Sequence, residues 1–298
     1  MHLLDLVLEV RAEAAVLSEL RLAYPVAAAT ASAPRAVLRC AREDRGWRID
    51  LEPGAGLADL FAPELADRFE LGPDGVLDQT SQIRFRRKES SLLAEGPVLR
   101  VLDVVLLHLA LLTARRAQRD PLLLHGAGLV SIRSGKALLL LGPSGTGKTT
   151  LAEALCRRGM ACLSDEIIAI EGRDAVAYPR AVAMRDPGPG PGPAAKYVSA
   201  RGETKYLVDP RTLGAPAPPP RAGIGALVLL EPYGSRFEVS TVRARTAATE
   251  LLAHAYTGRD DPARLLLRLA ALCGSVSCSR VRPGHPDETA AQLEALLV

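Results

Sequence analysis

Residues 137–150 read ALLLLGPSGTGKTT, an apolar run that ends in a glycine-rich turn and opens onto LAEALCRR at 151–158. Five consecutive apolar residues closed by glycine predict a strand buried on both faces, and the pattern after it predicts a helix over Leu151 to Arg158. Gly142, Gly147, Lys148 and Thr149 satisfy GxxxxGK[ST] in the strand–loop–helix setting that this motif requires. The stretch Gly142, Pro143, Ser144, Gly145, Thr146, Gly147, Lys148, Thr149 and Thr150 is therefore the expected nucleotide contact. Its backbone N–H groups would wrap phosphates, Lys148 would set a positive charge on them, and the Thr149 hydroxyl would ligate Mg²⁺. The bland alternative is a glycine-rich turn that merely caps a helix.

The acids Asp165 and Glu166 follow ACL at 161–163, read as a short strand. They come soon after the loop, where an acid that handles Mg²⁺ in phosphoryl transfer is expected. Two neighbouring carboxylates can divide labour, one holding the metal through water and the other taking the proton of an attacking hydroxyl. Against this stands a capping or surface acid pair. His125, in LLLHGAGL at 122–129, lies one strand before the loop, and a hairpin would bring it beside the cradle. There it either orients an acid or touches the γ-phosphate, or it is a packed core histidine.

Further out, residues 3–10 read as a strand, Glu13 to Tyr24 as a helix, and AVLRC with WRIDLEP as a hairpin around Arg42 to Gly46. Residues 1–95 thus form a small N-terminal α+β domain, and residues 96–298, opened by a long helix, form the phosphate-loop domain of an α/β fold. Ile167 to Ile170 and Ala175 to Tyr178 predict a second hairpin. DPGPGPGP at 186–193 and LGAPAPPP at 213–220 exclude regular helix and sheet. The basic segment between them is either a lid over the site or a solvated loop. Beyond it come strands at 224–230, 237–242 and 276–281, helices over 244–254 and 261–272, and a terminal amphipathic helix.

With 298 residues, 48% of them hydrophobic, the chain has ample material for a core. Lys and Arg total 37 against 34 acids, and a net charge of +3 is too slight to imply nucleic acid. Cys40, Cys156, Cys162, Cys273 and Cys278 form an odd set without a CxxC pair, which fits a reducing cytoplasm and structural thiols. Val98 to Thr113 is apolar but broken by Arg100, Asp103 and His108, and is shorter than the ~20 residues a bilayer needs. No membrane span, and with no basic leader a cytoplasmic location, is the expectation.

The combination of LLLHGAGL, GPSGTGKTT and CLSDEIIAI resembles the HPr kinase/phosphorylase superfamily, in particular the short HPr-kinase-like proteins of peptide-modifying gene sets. The resemblance runs from Leu122 to about Pro232 and implies a core shared with ATP-type phosphoenolpyruvate carboxykinases. It implies ATP and Mg²⁺ as cofactors, with His125, Lys148, Asp165 and Glu166 as the active centre. Asp165 would be the base, Thr149 a direct Mg²⁺ ligand and Glu166, where many relatives carry a second Asp, an outer-sphere one. YPRAVAMRD at 178–186 and GETKYLVDP at 202–210 also look like segments of the shorter relatives, and bring in Arg180, Arg185 and Lys205 as phosphate or substrate contacts. Self-association is implied as well. The long segment of true HPr kinases that serves phosphorolysis has no match.

The leading expectation is a kinase that moves the γ-phosphoryl of ATP to a Ser or Thr hydroxyl of a small protein or precursor peptide. The alternatives are a non-catalytic nucleotide-binding regulator or chaperone of a biosynthetic complex, and a kinase of a small-molecule hydroxyl. A carboxykinase ranks last, because it needs a large substrate-binding half ahead of the loop.

Overall fold

Two large sheets follow one another along the chain. The computed structural model describes residues 2–3, 6–24, 36–43, 46–52, 69–72, 75–78, 83–88, 91–116, 121–178, 180–187, 195–198, 203–256 and 261–297. The first sheet is built from β1 (His2–Leu3), β2 (Leu6–Ala12), β3 (Ala36–Glu43), β4 (Gly46–Glu52), β5 (Phe69–Gly72), β6 (Gly75–Asp78), β7 (Ile83–Lys88) and β8 (Ser91–Glu95). Its order is β1-β2-β3-β4-β8-β7-β6-β5. α1 (Ala14–Ala23) and α2 (Val98–Arg116) lie with it. In β8 only Leu92 and Ala94 are buried, the period-2 pattern of a sheet with one covered face. Leu8, Leu38, Ile49 and Phe85 share a core with Leu102 and Leu106 of α2 and with Val16 and Leu20 of α1.

The second sheet holds the phosphate loop. After β9 (Leu122–Val130), β10 (Ala137–Leu141) and α3 (Lys148–Arg157) come β11 (Ala161–Glu171), β12 (Asp174–Val176), β13 (Val182–Met184), β14 (Ala195–Val198) and β15 (Thr204–Val208). They are followed by β16 (Arg221–Leu230), β17 (Glu238–Thr241), α4 (Ala244–Leu251), α5 (Pro262–Ser275), β18 (Ser277–Arg282) and α6 (Pro286–Ala295). The order is β10-β9-β11-β12-β16-β18-β17, and β10 also pairs with β16.

β10 lies between β9, antiparallel, and β16, parallel. Its alternate residues serve two cores. Leu139 and Leu141 pack with Leu251 of α4 and Leu269 of α5, while Leu138 and Leu140 pack with Leu151 and Leu155 of α3 and Leu293 of α6. Helices on both faces explain why the strand reads as continuous leucine rather than as an alternation. Each leucine so buried contributes roughly 1.5–3 kcal/mol.

The short strand expected at 161–163 and the first arm of the hairpin expected at 167–170 are one strand. β11 pairs with β9 from Ala161↔Val130 to Ile170↔Leu122, with a register irregularity between Cys162 and Ser164. Polar Ser164, Asp165 and Glu166 break the apolar pattern and so read as a strand end, yet the ladder to β9 carries through them. The basic segment forms β14 and β15, which join β13 in a three-stranded antiparallel sheet. Residues 188–193 of the first Pro/Gly arm, 194 and 199–202 of the basic segment, Pro179, and residues 44–45 of the first turn lie outside the described residues. Among the described residues no helix is long and apolar enough to cross a membrane, and all five cysteines are free and buried.

Candidate active site

β10 delivers the chain at its carboxyl end to Gly142, and α3 starts at Lys148, so the loop sits where open α/β sheets place their ligands. Gly147 is the N-cap of α3 with φ 87°, a left-handed conformation that other L-residues adopt only at a cost. A Cβ at Gly147 would lie 2.2 Å from Cε2 of Tyr233, whose ring rests on the loop. Gly147→Ala is expected to cost about 1–2 kcal/mol from the left-handed backbone alone. Urea denaturation of Gly147→Ala, Tyr233→Ala and the double variant would separate backbone strain from the ring contact.

Lys148 is buried and folds back over the loop, donating to Gly142 O at 2.7 Å and Pro143 O at 3.0 Å. Burial lowers its pKa, and Asp165 and Glu166 oppose that shift. The Thr149 hydroxyl lies 3.4 Å from each carboxylate oxygen of Asp165, long for an O–H···O bond. Asp165 is itself buried and accepts the Ala183 N–H at 3.0 Å. Burial and then the charge of Glu166 push its pKa up to about 6, against the Ala183 N–H, Arg180 and Lys205.

Glu166 is the one non-glycine with positive φ among the described residues, at 82°. Consecutive strand residues point to opposite faces. The left-handed backbone breaks that alternation where the two acids meet the site. The Glu166 carboxylate accepts from Arg180 at 2.8 Å and lies 3.6 Å from Lys205 Nζ. Burial by itself would raise its pKa, but Arg180, Lys205 and His125 outweigh it and hold it below the usual carboxylate range. Two adjacent acids are thus driven in opposite directions.

His125 Nδ1 lies 3.1 Å from the backbone oxygen of Glu166. Burial first, then Lys148, lowers its pKa. The loop, His125, Asp165, Glu166, Arg180 and Lys205 are therefore brought together. Arg185 is not: it is exposed and pairs with Glu203 at 3.0 Å. Three further groups join the site that sequence reading did not place there. Asp103 of α2 takes the other arm of Arg180 at 2.6 Å and accepts Tyr24 Oη at 2.6 Å. Ala183 N–H and His254 complete the set, the latter lying near enough to feel the charges of Lys148 and His125. Asp103 carried a signal, a charge inside an apolar helix. In the sequence alone that charge argues only against a membrane span.

Thr149 and Asp165 offer hard oxygen donors to one space beside the loop. Mg²⁺ takes one or two protein oxygens and completes its shell with phosphates and water, so the residues present fit Mg²⁺ arriving with a nucleotide. Among the described residues no group of three or more His, Cys, Asp or Glu could hold a metal ion by itself.

The family model of AAA, the ATPases associated with various cellular activities, matches residues 138–185, from β10 through β13. Among solved structures, the Hpr(Ser) kinase/phosphatase from Coxiella burnetii aligns with 58% of this chain and 87% of that chain, at 14% identity and a TM-score of 0.29. No match was found among curated proteins. The chain is a mixed α/β protein with a phosphate-loop, ATPase-like nucleotide-binding domain.

Proposed function

We propose that this chain is an ATP-dependent kinase that transfers the γ-phosphoryl group to a Ser or Thr hydroxyl of a small protein or precursor peptide. The observation that carries the reading is the convergence beside the loop of Thr149 with Asp165, of His125 with the Glu166 backbone, and of the Glu166 carboxylate with Arg180 and Lys205. Burial and the charge of Glu166 raise the Asp165 pKa while Arg180 and Lys205 hold that of Glu166 down, which fits Asp165 as proton acceptor and Glu166 as its permanently charged partner.

Lys148 exchanges its bonds to Gly142 and Pro143 oxygens for phosphate oxygens, and the loop N–H groups hold the inner phosphates. Mg²⁺, held through Thr149 and the acids, would neutralise charge on the phosphates. Asp165 takes the proton of the attacking hydroxyl, aligned by Ala183 N–H. Glu166, fixed by Arg180 and Lys205, stays ionised and orients His125 through its backbone oxygen. Arg180 is engaged by two carboxylates, which supports a positioning role over direct phosphate contact. The change of sheet between β8 and β9 supports two domains, but α2 shares the core of the first sheet, which favours a boundary after α2 over one near residue 95.

The match to AAA ATPases favours a second reading, nucleotide turnover to water without a peptide acceptor. Intact-mass analysis of Ser- and Thr-bearing peptides incubated with the protein, ATP and Mg²⁺ decides between them. A phosphate mass gain that EDTA abolishes is expected. ADP release with no peptide modified would favour the ATPase, and tight ATP binding with no turnover would favour a regulator.

A further inference from the structure

α4 buries Ala247, Ala248 and Leu251 against the second sheet, then tightens into a 3-10 turn over Leu252–His254. The chain next runs along β9. Ala255 forms an antiparallel bridge with Leu124, and Tyr256 N–H donates to Leu123 O at 3.0 Å. This bridge covers a part of β9 that β10 leaves open, since β10 pairs only with Gly126 to Val130. The bridge is isolated: His254, the last residue of the 3-10 turn, comes immediately before Ala255, and His125 immediately after Leu124, so the bridge brings the two histidines to the same place on β9.

His254 thus lies near His125 and Lys148, whose charges it feels, on the side of the site where His125 meets Glu166. The inner phosphates belong to the loop and the start of α3, so the two histidines flank the far end of a bound triphosphate. The His254 ring is partly exposed and has no hydrogen-bond partner among the described residues. We infer that His254 is a further binding residue of the site, its imidazole N–H donating to an oxygen of the terminal phosphate of a nucleoside triphosphate. Burial first, then the positive charges of Lys148 and His125, hold its pKa below the usual range, so the ring at neutral pH carries one N–H donor and one acceptor.

The inference rests on the nucleotide-site reading and not on the identity of the acceptor. Isothermal titration of the full chain with Mg²⁺ and either ADP or the non-hydrolysable imido analogue of ATP tests it. His254→Ala is expected to weaken the analogue about tenfold and leave ADP within about twofold, with His254→Gln, which keeps an amide donor, recovering part of the loss. An equal loss for both ligands would mean that His254 only supports the fold. No loss for either would mean that the ring faces away from the phosphate, and either result overturns the inference. Failure of all peptides to accept phosphate would sink the kinase reading and leave this comparison standing.

Discussion

Asp165→Asn is expected to slow phosphoryl transfer about a thousandfold, the range for a positioned general base, while raising the stability of the nucleotide-free protein at pH 7. The two effects have one cause. The Asp165 carboxyl is buried beside Glu166, which lifts its pKa from 3.8 to about 6. Between about pH 4 and about pH 6 the folded chain therefore keeps a proton that the unfolded chain has released, and stability falls as pH rises through that window. Above it the penalty is fully present, on the order of 3 kcal/mol. Asparagine carries no charge to desolvate and keeps an oxygen for the Ala183 N–H. Urea denaturation in EDTA should show the variant more stable than wild type at pH 7 and the two converging toward pH 4. In wild type kcat/KM should fall as pH drops through about 6, since the base must be ionised. A variant that is less stable at pH 7 would make Asp165 an ordinary structural acceptor and remove it from the chemistry.

The sequence showed those parts of the site that are local in the chain. GPSGTGKTT is legible because strand, loop and helix start are contiguous, and each residue type has a task that no distant partner changes. His125 reads equally as core or site in the sequence, because its approach to the Glu166 backbone oxygen depends on how β9 registers with β11. Arg180 and Arg185 looked equal on paper. The first is held by Asp103 and Glu166, partners that only packing supplies, and the second meets Glu203 at the surface. His254 carried no signal at all, because nothing in ELLAHAY reveals that the next residue will bridge to β9. Asp165 and Glu166 read as a strand end although the ladder to β9 runs through them, since a backbone with positive φ at a glutamate has no sequence signature.

Arg180→Met should lower stability by about 3–5 kcal/mol, the usual result of removing one member of a buried ionic group and leaving the others uncompensated. The guanidinium is buried between Asp103 and Glu166, at 2.6 and 2.8 Å. Asp103 is reached from α2 and is also held by Tyr24 at the end of α1, while Ala181 N–H donates to Ala23 O at 2.7 Å. The helices packed on the first sheet thus grip the same arginine that fixes Glu166 beside the phosphate loop. Burial keeps the Asp103 pKa raised despite Arg180 and the Tyr24 hydroxyl, so its charge is costly once the arginine is gone. Adding Asp103→Asn to Arg180→Met should therefore recover part of the loss, and the cycle should show a coupling of about 1–3 kcal/mol by urea denaturation. Asp103→Asn alone leaves Arg180 paired with Glu166 and should cost less than Arg180→Met. Additive losses would mean that Arg180 answers to Glu166 alone. Coupling of the predicted size would mean that the charge state of a residue beside the phosphate loop is set in part by a helix outside the nucleotide-binding sheet, so that a change in α1 or α2 can reach the chemistry through one side chain.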